Sequence, residues 1–274
     1  MKKNSGKSEA NKHEALKQPT LKILESGQGQ PVVFIHGLVA SHNYWNRIID
    51  RLDKYNNYSV DLLGFGDSPK PEEATYSIDE QVDALHNSLK HQNIQYPTIL
   101  VGHSMGALIA VRYAVKHPKN IKKLILCNTP LFARDTINSD IVISSDIAPR
   151  FIIKGRVAKF ICMSSHHIPF IETILRNVPH KLPADIKADM LKHTWNSYSK
   201  SMENLIEVYD PTEDLATLRM PTLALLGNKD AVTSVFTATA ILPPNIKTHI
   251  VKNADHHIPI FNTDELISFF KEGT

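Results

Sequence analysis

Residues 98–111 read TILVGHSMGALIAV, and this stretch decides the fold. Its first four residues are typical of a buried strand, and the ALIAV at its end suits a buried helix. Between them stands the pattern Gly-x-Ser-x-Gly, with Ser104 at its centre. Gly102 and Gly106 lack the side chains that would collide where a strand turns sharply into a helix. The stretch therefore predicts a strained turn that presents the Ser104 hydroxyl at a helix N-terminus, where backbone N–H groups favour negative charge.

Strand and helix patterns alternate on both sides of this segment. Upstream, apolar runs at 31–35 and 58–60 predict strands, and apolar spacing predicts helices over 45–52 and 78–89. Downstream, strand patterns at 124–127, 221–226 and 248–251 are accompanied by helix patterns over 235–242 and 264–271. Such alternation indicates an α/β fold, with a mostly parallel sheet covered by helices on both faces.

The alternation is interrupted between residues 131 and 205. No strong strand pattern occurs there, short segments have helical spacing, and prolines such as Pro149, Pro169 and Pro179 punctuate them. We interpret 131–205 as a helical cap inserted between two parts of an α/β core, residues 18–130 and 206–274. Residues 1–17 are polar and rich in lysine, and are predicted to form a flexible, solvated tail.

Composition excludes several other classes of protein. The 274 residues suffice for a large core, and the net charge of +3 is too small to argue for binding nucleic acid. No apolar run approaches the roughly 20 residues of a membrane span, and no apolar segment follows the N-terminal lysines as in a secretory signal. Cys127 and Cys162 make no disulfide framework. The expectation is a cytoplasmic protein without stable membrane insertion, with its oligomeric state left open.

A serine hydroxyl becomes a good nucleophile only when a base accepts its proton, and that base is usually a histidine oriented by a buried carboxylate. The partners of Ser104 should follow strands, because functional loops gather at the carboxyl ends of parallel strands. Asp230 follows the strand pattern at 221–226, and the pair His256 and His257 follows the last strand pattern. Either histidine can serve as the base on this argument, and the spacing favours His256.

Taken in order, these pieces resemble the α/β-hydrolase superfamily, in its capped, esterase-like branch. The resemblance covers residues 31–271. It rests on His36-Gly37 after the first buried strand, on DLLGFGDS at 61–68, on the elbow, on the run from Gly227 to Asp230, and on Asp255-His256 before a final helix.

The resemblance implies a role for each candidate residue. Ser104 is the expected nucleophile, His256 the general base that then acts as acid, and Asp230 the carboxylate that orients it. The backbone N–H groups of Leu38 and Met105 are expected to form the oxyanion hole. Neither a cofactor nor a metal ion is required.

The implied activity is that of a serine hydrolase that cleaves carboxylic esters through an acyl-enzyme intermediate. Because the predicted cap is rich in apolar side chains, the expected substrate is a small ester with an apolar portion. Those side chains include Phe132, Ile152, Phe160, Met163, Phe170 and Leu175.

Other activities remain open on the same residues. The same triad can hydrolyse thioesters or a carbon–carbon bond, although relatives with the latter activity commonly carry asparagine where His103 stands. A non-catalytic receptor that uses the pocket to bind a small molecule is the alternative from another class. The family usually has glycine where Asp255 stands, so a carboxylate beside the base is hypothesised to favour its imidazolium form.

Overall fold

Seven strands form one sheet in the computed structural model, which describes residues 19–132 and 182–271. The strands are β1 (Ile23–Gly27), β2 (Gln30–Ile35), β3 (Tyr55–Val60), β4 (Thr98–His103), β5 (Ile121–Cys127), β6 (Thr222–Gly227) and β7 (Lys247–Val251). Their order in the sheet is β1-β3-β2-β4-β5-β6-β7, with β1 antiparallel to β3 and all other neighbours parallel. The mostly parallel α/β sheet predicted from the sequence is confirmed.

Helices connect these strands and cover the sheet. They are α1 (Asn46–Ile49), α2 (Ile78–His91), α3 (Met105–Lys116), α4 (Ala184–Asp189), α5 (Trp195–Ser201), α6 (Thr212–Thr217), α7 (Val235–Ile241), α8 (Ile258–Phe261) and α9 (Thr263–Lys271). A π-helix occupies Met202–Ile206 and a 3-10 turn His42–Trp45. That turn precedes α1, because the Ser41 hydroxyl accepts the Asn43 N–H and starts a tighter turn, and α1 itself is shorter than the helix predicted over 45–52.

The sheet has a hydrophobic core on each face. Along β2, Val33 and Ile35 pack with residues of α2 and α3, whereas Val32 and Phe34 pack on the opposite face near α1 and α9. Successive side chains of a strand point to opposite faces, so a strand covered on both sides is apolar throughout. This double burial explains the uninterrupted apolar runs in the sequence.

Parallel pairing brings the chemistry-bearing loops to one edge of the sheet. β2, β4, β6 and β7 all run in the same direction, so their carboxyl ends lie together. The segments that follow these ends are 36–38, Ser104, 228–230 and 252–257. The topology alone therefore gathers the residues singled out in the sequence.

Two parts of the sequence-based description differ from the structure or fall outside it. β1 was not predicted, because its residues after Ile23 are exposed at the sheet edge and carry little apolar pattern. The predicted tail at 1–17 and residues 133–181 of the predicted cap lie outside the described residues, so the domain boundaries stay predictions. The described remainder of the cap, 182–205, contains α4, α5 and the start of the π-helix.

Among residues 19–132 and 182–271, no helix combines the length and the apolar character needed to cross a bilayer.

Gly106 provides a test of how tightly α3 packs against β2. A Cβ at this position would lie 2.4 Å from the carbonyl oxygens of Ile35 and His36. Alanine is better than glycine by about 1 kcal/mol inside an ordinary helix. Here we expect Gly106→Ala to lower the free energy of unfolding by about 2 kcal/mol, because the backbones must separate.

Urea denaturation followed by circular dichroism measures this difference. Thr239→Ala, on the exposed side of α7, is the control and should change stability little. A Gly106→Ala variant as stable as the parent would contradict the close approach of α3 and β2.

Candidate active site

Ser104 lies at the turn between β4, which ends at His103, and α3, which begins at Met105. Its backbone has φ 53° and ψ −124°, a left-handed conformation that is strained for a residue with a side chain. Glycines let the turn close, since a Cβ on Gly102 would lie 2.5 Å from the carbonyl oxygen of Gly106. The turn keeps Ser104 at the end of the sheet with 9% of its surface exposed.

The structure brings Ser104, His256 and Asp230 into one hydrogen-bonded chain. His256 Nε2 lies 3.0 Å from Ser104 Oγ, and His256 Nδ1 lies 2.9 and 3.0 Å from the two carboxylate oxygens of Asp230. A carboxylate only accepts, so Nδ1 carries the proton and Nε2 is left to accept from the serine hydroxyl. The arrangement can take a proton from Ser104 and keep it at His256.

Asp230 and His256 come from neighbouring strands. Asp230 follows β6, and its Oδ1 also accepts the N–H groups of Val232 and Thr233 at 2.7 and 3.3 Å. The Asp230 side chain is 2% exposed, and that of His256 is 16% exposed. Backbone donors therefore fix the carboxylate in a buried position from which it can hold the imidazole.

The two histidines that the sequence left as candidates have different contacts. His256 reaches Ser104, whereas Nδ1 of His257 lies 3.0 Å from the Tyr44 hydroxyl. On geometry, His256 is the one placed to act on Ser104. The sequence raised the hypothesis that the Asp255 carboxylate acts on the base. In the structure, Asp255 Oδ1 instead accepts the His257 N–H at 2.8 Å and caps the turn.

The expected oxyanion donors flank the serine. Met105 is the first residue of α3, and Leu38 lies in the loop after β2. In the part of the chain that the structure describes, neither N–H donates to another backbone carbonyl. The Leu38 loop packs against the elbow, since a Cβ on Gly37 would lie 3.1 Å from the Ser104 Cβ. Both residues therefore lie in segments next to the serine, and their role as oxyanion donors stays a prediction.

His36 is the first residue of this loop, directly after β2. His36 Nδ1 donates to its neighbour's carbonyl, Gly37 O, at 2.7 Å, and Nε2 accepts the Leu62 N–H at 3.0 Å. Burial lowers the pKa of His36, which suits a neutral ring that accepts at one nitrogen. His36 thus has a structural role, because its hydrogen bonds join the loop after β2 to the segment after β3.

His42, Asp61 and Asp67 place a ring nitrogen and carboxylate oxygens within 4.8 Å of one another. Asp61 already accepts the His42 N–H, the His42 Nδ1 and the Asp67 N–H, at 2.6, 2.9 and 2.8 Å. Burial raises the pKa of Asp61, but the hydrogen bond from His42, the nearby His36 and the Asp67 N–H together outweigh it and leave the pKa below its ordinary value. These donors account for the buried carboxylate without an ion.

A cavity of about 350 Å³ opens beside Ser104 and His256. Its apolar lining includes Leu38, Val39, Phe132, Leu182, Ile186, Met190, Met202, Ile206 and Val232. Among the described residues, no lysine, arginine, aspartate or glutamate lines it. Of the apolar cap residues named from the sequence, Phe132 lines the cavity and the others lie outside the described residues. The cavity can receive an uncharged, apolar group.

Two residues of this region were not recognised from the sequence. Neither Tyr44 nor Asn128 belongs to a motif that marks it in the sequence. In the structure the Asn128 Oδ1 accepts the Gly227 N–H, and its Nδ2 donates to the carbonyl of Asp255, each at 2.9 Å. A single sequence contains no signal for such long-range contacts.

Comparison with known proteins agrees with the fold. A family profile described as alpha/beta hydrolase fold matches residues 30–263. The structure is similar to that of an esterase from Exiguobacterium antarcticum, with a TM-score of 0.72 at 21% sequence identity, over 93% of this chain and 98% of the other.

Relatives in sequence carry names of ester-cleaving enzymes. The chain is 28% identical over 239 residues to Lipase 3 of Moraxella sp. (strain TA144), which covers 85% of this chain and 73% of that protein. It is 27% identical over 285 residues to the probable lysophospholipase BODYGUARD 5 of Arabidopsis thaliana, over 92% of this chain and 64% of that protein. The chain thus spans less than two thirds of the second relative.

The buried histidines of the site make a pH-dependent contribution to stability. Burial, followed by the neighbouring His256 and His257, lowers the pKa of His103 well below its ordinary value of 6.5, and burial lowers that of His36. The unfolded chain therefore binds more protons than the folded chain below pH 6.5. We expect the free energy of unfolding to fall as pH drops through 6.5, by up to about 1.4 kcal/mol per pH unit for each histidine.

Urea midpoints measured between pH 8 and pH 5 test this expectation. His103→Gln removes one of the two groups and should flatten the dependence. Midpoints that stay constant over this range would contradict neutral burial of both histidines.

Proposed function

Because this chain belongs to the α/β-hydrolase fold family, we propose that it is a serine hydrolase that cleaves carboxylic esters through an acyl-enzyme. The observation that carries the proposal is the hydrogen-bonded chain from Ser104 through His256 to Asp230. The names of the relatives, a lipase and a probable lysophospholipase, support the same reaction class. The apolar cavity beside Ser104 supports a small ester with an apolar portion as substrate.

Acylation begins with the ester carbonyl carbon next to Ser104 Oγ. His256 Nε2 takes the hydroxyl proton as Oγ forms its bond to the carbonyl carbon, and the carbonyl oxygen becomes an oxyanion. The N–H groups of Leu38 and Met105 would stabilise that charge, at the N-terminus of α3. His256 then gives its proton to the departing alkoxide, the bond to the alcohol oxygen breaks, and the acyl group stays on Ser104.

Deacylation repeats these steps with water. His256 removes a proton from water, the hydroxide attacks the acyl carbon, and the proton passes to Ser104 Oγ as the acid leaves. Asp230 keeps the proton of His256 on Nδ1 and stabilises the imidazolium formed in both halves of the reaction. No cofactor or metal ion takes part in this scheme.

Replacement of the nucleophile tests the proposal directly. Ser104→Ala removes the attacking oxygen, so we expect kcat/KM for p-nitrophenyl butyrate to fall by about 10⁴-fold or more while the protein still folds. Ser268→Ala, on the exposed side of α9, is the matched control and should keep full activity.

Active-site labelling with a fluorophosphonate separates an enzyme from a receptor. The parent protein should gain one adduct at Ser104, detected by peptide mass spectrometry, and Ser104→Ala should gain none. Folded parent protein without an adduct would favour the non-catalytic receptor. Faster turnover of a thioester, or of a diketone by hydrolysis of a carbon–carbon bond, would change the proposed substrate class but keep the triad.

The cavity makes a second prediction about substrate length. Met190 lines the cavity, so Met190→Trp should fill part of its volume. We expect kcat/KM for the octanoate ester to fall by about 10-fold relative to the acetate, since each methylene excluded from an apolar pocket forfeits its contacts. Met190→Leu, which conserves volume, is the control. An equal loss on both esters, measured across a panel graded in chain length, would contradict binding of the apolar group in this cavity.

A further inference from the structure

The loop that carries His256 is held at its backbone rather than by packing alone. Residues 252–257 lie between β7 and α8 and form no regular element. Three successive carbonyls of this loop each accept a hydrogen bond from a different part of the chain. Lys229 N–H donates to Ala254 O at 2.8 Å, Asn128 Nδ2 to Asp255 O at 2.9 Å, and His103 Nε2 to His256 O at 2.7 Å.

Hydrogen bonds to β6 fix Asn128 independently of its contact with the loop. Its Oδ1 accepts the Gly227 N–H at 2.9 Å, and its backbone N–H donates to Leu225 O at 2.9 Å. A backbone N–H only donates and a carbonyl only accepts, so the amide can be oriented in one way. Asn128 is fully buried and has φ 47°, a conformation that asparagine tolerates better than most residues. It therefore joins the ends of β5 and β6 to the carbonyl before His256.

His103 has an equally defined hydrogen-bonding state. Its Nε2 lies 2.7 Å from the His256 carbonyl oxygen and 3.3 Å from the Tyr44 hydroxyl, and because a carbonyl only accepts, Nε2 carries the proton. His103 is 3% exposed, and its ring is stacked on Tyr44, with centroids 4.8 Å apart and planes at 23°. The Tyr44 hydroxyl in turn lies 3.0 Å from Nδ1 of His257. The stacked pair of His103 and Tyr44 thus contacts both the carbonyl of His256 and the side chain of His257.

These contacts couple the nucleophile to its base through the backbone. His103 immediately precedes Ser104 in the elbow, so a single strand end sets both the position of the hydroxyl and that of the His256 carbonyl. A displacement of about 1 Å between reacting groups lowers rates by about 100-fold. A loop without regular structure needs such anchors if His256 Nε2 is to stay 3.0 Å from Ser104 Oγ.

We propose that His103 and Asn128 are positioning residues that hold the His256 backbone at two successive carbonyls and so keep its imidazole in line with Ser104. The proposal rests on the proposed hydrolase function. On this proposal, His103, which precedes the nucleophile, and Asn128, which follows β5, both act on the reaction by holding the loop that carries His256. The His103 ring also lies beside the His256 ring, with centroids 4.9 Å apart and planes at 58°, so the test must separate this ring contact from the hydrogen bond.

Paired substitutions at His103 separate the hydrogen bond from the ring. His103→Phe keeps an aromatic ring against Tyr44 and loses the donor, whereas His103→Gln keeps a donor of similar reach and loses the ring. We expect His103→Phe to lower kcat for p-nitrophenyl butyrate and the rate of fluorophosphonate labelling by about 10- to 100-fold, with KM within about twofold of the parent. His103→Gln should restore kcat to within about threefold.

A matched control and a second site complete the experiment. His86→Phe makes the same exchange between α2 and the C-terminal end of α3, where His86 stacks on His117, and should not change kcat. Asn128→Gly accepts the positive φ and loses the donor, so it should lower kcat as His103→Phe does. It also replaces His103→Phe in every assay if the phenylalanine variant does not fold.

The low-field proton NMR signal of His256 Nδ1–H gives a readout that a purely structural role would not change. It should be sharp in the parent and in His103→Gln, and broadened in His103→Phe and Asn128→Gly at temperatures where all are folded. Parent-like kcat and labelling in the variants without the donor would overturn the positioning role, as would equal losses in His103→Phe and His103→Gln. Failure of the proposed function looks different, because the parent itself would then lack the Ser104 adduct and ester turnover.

Discussion

Ser104 and His256 are 152 residues apart in sequence and 3.0 Å apart in space. That hydrogen bond exists only because β4 and β7 run in the same direction in one sheet and end at the same edge. The strands are held in place by apolar cores on both faces, which are formed by residues far from the site. Burial of aliphatic side chains therefore sets the distance between a hydroxyl and an imidazole, and the proposed chemistry depends on that distance.

The site combines local strain with hydrogen-bond partners for several of its buried polar groups, although His103 Nδ1 has none among the described residues. Ser104 and Val39 both have φ 53°, unfavourable for residues with side chains and most of all for a β-branched one. Meanwhile Asp230, His36 and Asn128 have their polar atoms matched to backbone donors and acceptors. The surrounding hydrogen bonds and packing hold these two strained residues, the serine itself and Val39 in the loop after β2. Strain concentrated in this way at one sheet edge is typical of a functional site.

Much of this could be predicted from one sequence. The glycine pattern around Ser104 and the apolar runs of the strands reflect short-range steric rules, which a local segment already contains. The positions of Asp230 and His256 followed from the rule that loops gather at strand ends. The contacts of Asn128 and Tyr44 could not be foreseen, since each joins segments whose relative position is known only after folding. β1 was missed for another reason, because an edge strand with exposed side chains has no clear apolar period.

The uncharged lining of the cavity bears on how the reaction would end. Ester cleavage turns a neutral group into a carboxylate, and the described lining offers that anion no cation in exchange for its water. Burying an unpaired charge in an apolar space is strongly unfavourable. On the proposed function, the acid formed at Ser104 would therefore gain less from this apolar lining than the ester from which it came.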